Sequence, residues 1–98
     1  MSDEYVARSR NVAARRLGDE MVVMSAVDST LFTLNEAGAE IWQAADGKTP
    51  LRTIVLEKIC SAFDVAPEQA LADARDFVRA LAEHGILHVA ENPIAEAR

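Results

Sequence analysis

The sequence has a single cysteine, no cluster of glycines and no long apolar run. Cys60 has no partner for an internal disulfide, and no Cys/His group shows metal-ligand spacing. Isolated glycines do not make a phosphate-binding loop, and a bilayer span needs about 20 consecutive apolar residues. The acidic N-terminus lacks the basic and apolar regions of a signal peptide. These absences predict a cytoplasmic protein without a membrane span, a metal or a cofactor.

Basic charge is also scarce, and much of it lies near the N-terminus. The chain has 98 residues and a net charge of −6. Residues 1–20 contain four basic and four acidic residues, so residues 21–98 carry the whole negative charge. Proteins that bind DNA draw much of their affinity from Lys and Arg side chains that neutralise phosphates. We therefore expect no nucleic-acid partner.

Half of the residues are hydrophobic, which is enough for one modest core. Three short apolar segments joined by turn signals predict an antiparallel three-stranded sheet near the N-terminus. The second segment is apolar at nearly every position, which predicts a central strand covered on both faces, with an edge strand on each side. The predicted strands are Val12–Leu17, Glu20–Ala26 and Thr30–Leu34. Around a domain at residues 11–90, we expect a flexible arm at residues 1–10 and a tail at residues 91–98.

The first helix is predicted directly after the third strand. Asn35 is a favourable N-cap residue, and apolar residues at helical spacing follow it from Glu36 to Ala45. Asp46-Gly47 then predicts the helix end, because glycine adopts the left-handed backbone found there. Trp42 is expected in the core.

Two further helices and a short strand complete the prediction. Thr49-Pro50 is a typical helix start, and the wide apolar surface that follows predicts the most buried helix. The third helix is predicted at Pro67–His84, although Ala66 is a poor N-cap residue. Residues 86–89 predict a brief final strand. The fold class is therefore α+β: a three-stranded antiparallel sheet followed by three helices, an arrangement like that of winged-helix domains.

No group of residues predicts catalysis. Cys60 lies within an apolar helix surface, where a buried structural thiol is the favoured interpretation. His84 and His88 flank a helix end, so their spacing does not place both rings on one face. Asp73 and Asp76 resemble an acid pair, but a solvated helix face with ion pairs explains them better. We expect a binding protein rather than an enzyme.

The most available binding surface is the edge of the third predicted strand, Thr30–Leu34. An exposed edge presents unpaired backbone N–H and C=O groups, and this segment has no Lys, Pro or inward charge to protect it. A partner peptide would satisfy these groups by adding a strand. Alternatively, the N-terminal arm, the final strand or a second copy of the chain covers the edge. The residues alone leave both interpretations open.

Two other classes of function stay in view. The second and third helices with the adjacent sheet have the shape of a winged helix-turn-helix, which would make the protein a DNA-binding regulator. Against this, the presumed recognition helix is predominantly acidic. A purely structural dimerisation module is the third alternative.

Several short motifs together resemble the PqqD family. The resemblance spans roughly Arg10 to Val89, and only Ala66 stands where a polar capping residue is usual. The motifs are Phe32-Thr33-Leu34-Asn35, then Ala37, Gly38, Ile41 and Trp42, then Asp46-Gly47 and Thr49-Pro50, then Phe63-Asp64-Val65, and finally Leu81 with His84-Gly85-Ile86-Leu87.

The resemblance implies a recognition domain for ribosomally made, post-translationally modified peptides. Such a domain is a non-catalytic chaperone, which binds the leader of a precursor peptide and presents it to a modifying enzyme. In pyrroloquinoline quinone biosynthesis, that enzyme is a radical S-adenosylmethionine enzyme. In such domains the leader adds to the third strand and lies against the third helix. The resemblance does not decide whether the chain also forms a homodimer. By position, the implied peptide-binding residues are Thr30, Leu31, Phe32, Thr33, Leu34, Asp73, Ala74, Phe77, Val78 and Leu81.

Overall fold

A computed structural model describes residues 4–10, 12–25 and 27–94 of the chain. Four strands precede the first helix, a fifth lies between the first two helices and a sixth follows the third helix. A π-helical segment, Val55–Cys60, directly continues the second helix. In chain order the regular elements are β1 (Tyr5–Arg8), β2 (Val12–Leu17), β3 (Glu20–Ser25), β4 (Leu31–Leu34), α1 (Glu36–Ala44), β5 (Asp46–Pro50), α2 (Leu51–Ile54), α3 (Pro67–Glu83) and β6 (Leu87–Ala90).

The predicted three-stranded sheet is confirmed, with the antiparallel order β2–β3–β4. Gly18 has a φ of +64° in the tight turn that joins β2 to β3. The prediction that β3 is covered on both faces is wrong, because Met21 and Val23 are buried whereas Met24 is 41% exposed. One face of this sheet therefore packs on the core, and the other is open to solvent.

A second antiparallel sheet has the order β5–β1–β6 and was not predicted. For residues 5–8 the expected flexible arm is wrong: Val6 and Ala7 are 0% and 2% exposed in the central strand β1. This apolar stretch is too short to show a strand period in the sequence. The final strand is confirmed as β6, which pairs with β1.

The expected arm and tail at the two ends of the chain fall only partly within the described residues. Residues 1–3 and 95–98, which belong to the expected arm and tail, lie outside the described residues. Within the described part of the tail, the Ile94 N–H donates to Gly47 O at 2.7 Å. The start of the tail is thus tied to β5.

The first helix begins as predicted. The Asn35 side chain accepts a hydrogen bond from the Gly38 N–H at 2.8 Å, which caps α1. The predicted start of the second helix at Thr49-Pro50 is wrong by one residue, because Pro50 ends β5 and pairs with Tyr5 of β1, so that the helix begins at Leu51. The backbone N–H of Thr49 donates to Asp46 Oδ1, which holds this strand in place of a helical turn.

The predicted extent of the third helix is confirmed to within one residue, and His84 follows the helix as its C-cap residue. Ala66 occupies the N-cap position and makes no side-chain hydrogen bond there. In the second helix, Leu51, Ile54, Val55 and Ile59 enter the core as predicted, whereas Leu56 is 44% exposed. The core lies between the inner face of the β2–β3–β4 sheet, β1 and the helices.

Candidate functional site

The outer edge of β4 is the first component of the site. Met24 pairs with Leu31 and Val22 with Thr33, and next to these pairs the Ser25 N–H donates to Thr30 O at 2.9 Å. In an antiparallel pair, hydrogen-bonded and non-hydrogen-bonded positions alternate. The backbone groups of Phe32 and Leu34 and the carbonyl of Thr30 therefore point towards β3. Those of Leu31 and Thr33 point away from the sheet.

Within the described residues, no strand covers this outer edge. The two segments that sequence considerations offered as a cover, the N-terminal segment and the final strand, pair with each other instead. Tyr5 faces Ala90 and Arg8 faces Leu87 in that pairing. The N–H and C=O groups of Leu31 and Thr33 are thus available to an added strand.

The side chains of β4 divide between two faces. Leu34 is 2% exposed, and Phe32 packs against the core. On the opposite face Leu31 is 61% exposed, and Thr33 is exposed as well. A strand added to β4 would continue this alternation, so that every second side chain faces the helical layer.

An apolar cleft of about 350 Å³ opens where β4 gives way to α1. It lies between the start of α1, the end of the π-helical segment with the link after it, and α3. Its lining residues are Asn35, Ala37, Gly38, Ile41, Ile59, Phe63, Val65, Ala70, Asp73, Ala74 and Phe77.

Gly38 and Phe77 set the shape of this cleft. A Cβ at position 38 would lie 3.1 Å from Phe77 Cε1 and 3.3 Å from Asn35 Oδ1. The Phe77 ring therefore packs directly over the first turn of α1, at a distance that only glycine accommodates without displacement. The half-buried ring of Phe77 forms one wall of the cleft.

A second contact joins β4 to α3 at the other end of the strand. The rings of Phe32 and His84 have centroids 5.2 Å apart, and His84 Nδ1 lies 2.6 Å from Asp28 Oδ2. Hydrogen bonds with the His84 ring and from the Thr30 N–H hold the pKa of the Asp28 carboxyl well below its usual range. The Ser25 hydroxyl also donates to the His84 carbonyl. These contacts fix the turn before β4 against the end of α3.

Phe77 at the cleft and His84 at the end of α3 lie on the same side of the helix, and the Phe32–His84 ring contact places that side next to β4. Phe77 and His84 are seven residues apart on α3, which corresponds to about 10 Å along the helix axis. An extended peptide covers that distance with about three residues. We call this feature, from the cleft at Phe77 to His84 and bounded by β4, the β4–α3 groove.

The residues implied by the family resemblance fall into two groups. Asp73, Ala74 and Phe77 line the cleft. Val78 and Leu81 are 0% and 1% exposed. They belong to the core beneath the groove and support it from below.

The sequence did not single out several residues of the site. Asn35 and Phe63 both line the cleft, but the sequence explained the first as a helix cap and the second as a core aromatic. His84 lies at helical spacing from Phe77 and Asp73, a pattern that the sequence does contain. That signal would have extended the predicted helix surface to the end of α3.

The candidate catalytic groups lie on different elements. Cys60 is half-buried in the π-helical segment, His84 is the C-cap residue of α3, and His88 lies on β6. Over residues 4–10, 12–25 and 27–94, no group of three or more His, Cys, Asp or Glu side chains has the arrangement of a metal site. Among the helices in this part of the chain, none has the length and apolarity needed to cross a bilayer.

The two sheets, the three helices and the open strand beside α3 define an α+β fold of the PqqD type. Residues 20–87 match the family of coenzyme PQQ synthesis protein D (PqqD), and the chain belongs to this family. The structure of TbiB1 in complex with the TbiA(beta) leader peptide is similar, with a TM-score of 0.71 and 30% sequence identity. The similarity covers 84% of this chain and 94% of TbiB1. No curated protein sequence matches the chain.

Proposed function

We propose that this protein is a non-catalytic chaperone that binds the leader segment of a ribosomally made precursor peptide by strand addition. The observation that carries the proposal is the outer edge of β4, which is unpaired among the described residues and lies beside an apolar cleft. Family membership and the similarity to TbiB1, whose structure contains a leader peptide, support it.

The proposed binding mode combines backbone pairing with apolar burial. The leader main chain pairs with the outward N–H and C=O groups of Leu31 and Thr33, and one large apolar side chain enters the cleft beside Phe77. Both contributions are needed because ordering a flexible peptide costs conformational entropy. The contacts between Phe32, His84 and Asp28 keep the edge strand in place before the peptide arrives, so that binding does not also have to order the strand itself.

The bound leader is presented to a peptide-modifying enzyme in the cytoplasm. For the pyrroloquinoline quinone pathway this partner is a radical S-adenosylmethionine enzyme, and related peptide pathways use other enzymes. The open face of the β2–β3–β4 sheet, where Met24 is 41% exposed, offers a separate surface for that enzyme. In such a ternary complex, proximity raises the effective concentration of the substrate.

Substitution of Thr33 by proline tests strand addition directly. The Thr33 N–H points away from β3, so proline removes a donor that the sheet does not use, and edge strands tolerate proline. Loss of one hydrogen bond and the added ring at the edge should weaken leader binding at least about fivefold. Isothermal titration calorimetry with a peptide selected for binding to this protein from a displayed random library measures this loss.

Thr33→Val is the matched control, since it keeps the N–H and the side-chain shape and should leave affinity within about twofold. Circular dichroism of both variants should show the unchanged helical signal. Equal affinity of the proline variant and the unsubstituted protein would refute pairing at this edge.

A further inference from the structure

We infer that the β4–α3 groove takes a leader segment in which a lysine or arginine lies within a few residues of a large apolar residue. This inference rests on the proposed function and specifies the chemistry of its ligand. It follows from the placement of charge around α3, which the sequence alone did not resolve, since α3 carries both carboxylates and arginines.

Three of the four carboxylates of α3 lie on its groove side, whereas Glu68 in the first turn lies about 180° from Phe77. Successive residues of an α-helix are rotated by about 100°, which places Asp73 about 40° from Phe77, away from the core. Asp76 and Glu83 follow on the same side, about 100° to 120° from Phe77. All three are exposed. They form an acidic rim (Asp73, Asp76 and Glu83) along the groove.

The arginines of α3 lie farther from the groove than these carboxylates. Arg75 and Arg79 are each about 160° from Phe77 on the helix circumference, but in opposite directions. Arg79 therefore lies beyond Asp76 and Glu83 at the spacing of helix ion pairs. The guanidinium of Arg75 is also engaged, because its Nε donates to Glu4 Oε1 at 2.9 Å and ties α3 to the segment before β1. An acidic leader would therefore meet carboxylates at the groove, while the cations of α3 lie farther from it.

Asp73 is the charged group that bears most closely on the cleft. It is the one ionisable side chain among the described residues that line it, and the other lining residues are apolar apart from Asn35. Gln69 Nε2 donates to Asp73 Oδ1 at 2.9 Å, which orients the carboxylate and leaves acceptor positions for a further donor. A cation on the peptide fits this position beside an apolar anchor.

The geometry also limits the spacing between the two peptide residues. The cleft volume of about 350 Å³ accommodates a large apolar or aromatic side chain. Side chains on one face of an extended peptide recur every second residue, roughly 6.6 Å apart. With Asp73 at the mouth of the cleft and Asp76 beyond it, we place the Lys or Arg two to four residues from the apolar anchor.

Selection from a random peptide library displayed on phage, with the full chain immobilised, tests this inference. Enriched peptides should share a large apolar residue with a Lys or Arg two to four positions away. For one such peptide, Asp73→Asn should lower affinity about two- to fivefold at low salt, the range of an exposed ion pair. Added salt should reduce the difference.

Asp19→Asn is the matched control, because it removes the same charge in the β2–β3 turn, which is not part of β4 or α3 and does not line the cleft. It should leave affinity within the error of the measurement. The inference would be overturned by enriched peptides that lack Lys and Arg, or that carry Asp and Glu instead. If Thr33→Pro weakens the binding of such peptides, the proposed function still stands. A library that yields no binder sensitive to Thr33→Pro would overturn both.

Discussion

Asp28 shows how a single residue fixes the edge strand. Its carboxylate accepts a hydrogen bond from the Thr30 N–H at 3.0 Å and contacts the His84 ring at 2.6 Å. The strand that carries the proposed function is thereby attached to the helix that forms the other wall of the groove. Asp28 and His84 are 56 residues apart in sequence, so no local pattern reveals this contact.

The lowered pKa of Asp28 makes stability depend on pH in a defined direction. Because folding favours its charged form, Asp28 contributes stability above its ordinary pKa of 3.8, and this contribution is lost as the pH falls below that value. Asp28→Asn keeps the acceptor for Thr30 but cannot titrate. Urea unfolding between pH 7 and pH 2.5 should show a shallower loss of stability in the variant. Parallel curves for the two proteins would contradict this role.

Residue-level predictions from the sequence succeeded where the chemistry is local. Asn35 caps α1 as expected, because its side chain reaches an N–H three residues away. The same kind of argument could not distinguish Phe77, at the cleft, from Val78, in the core, since both are apolar residues of one helix. Their separation depends on where β4 and α1 pack.

At the scale of elements, the strands with a clear apolar pattern and all three helices were predictable. β1 and β5 were not, because neither has an independent signal: four residues are too few for a period, and Asp46-Gly47 resembles a helix end. β1 and β5 pair with each other, and β1 also pairs with β6. Such long-range pairing is set by the fold as a whole.

The N-terminus of α3 lacks a capping side chain. Ala66 has an extended backbone with a ψ of 137°, which suits a capping side chain, but alanine offers none. Ala66→Ser should stabilise the protein by about 1 kcal/mol. For a domain of this size that raises Tm by roughly 4–8 °C in calorimetry.

Ala72→Ser serves as the comparison, since Ala72 is also exposed but lies within α3. Serine there should be neutral or slightly destabilising, because it lowers helix propensity without capping. A Tm for Ala66→Ser that does not exceed that of Ala72→Ser would show that the helix start is already satisfied by other groups.

At the scale of the whole molecule, the two sheets differ. The β5–β1–β6 sheet pairs segments that are far apart in sequence, whereas the β2–β3–β4 sheet has, among the described residues, an unpaired outer edge at β4. In the β5–β1–β6 sheet, Arg8 of β1 donates to the carbonyls of Trp42 and Gln43 at the end of α1. This sheet engages segments near both chain ends, so neither β1 nor β6 is free to cover β4. Among the described residues, the outer edge of β4 is therefore unpaired because β1 and β6 belong to the other sheet.

Charge at this scale agrees with a peptide ligand rather than DNA. The net charge of −6 is carried by residues 21–98, which include every helix. The acidic rim of α3 would repel phosphates at the position where a recognition helix needs cations. The sequence predicted this opposition to nucleic acid, but only the fold shows which side of α3 carries the carboxylates.

The central claim, addition of a peptide strand to β4, is tested most directly by amide hydrogen exchange of the protein with a display-selected peptide bound. The Phe32 N–H, which points to β3, is an internal reference in the same strand and should change little. The Leu31 and Thr33 N–H groups should become strongly protected, because the peptide backbone would accept their hydrogen bonds. A saturated complex in which Leu31 and Thr33 exchange as fast as in the free protein would contradict strand addition.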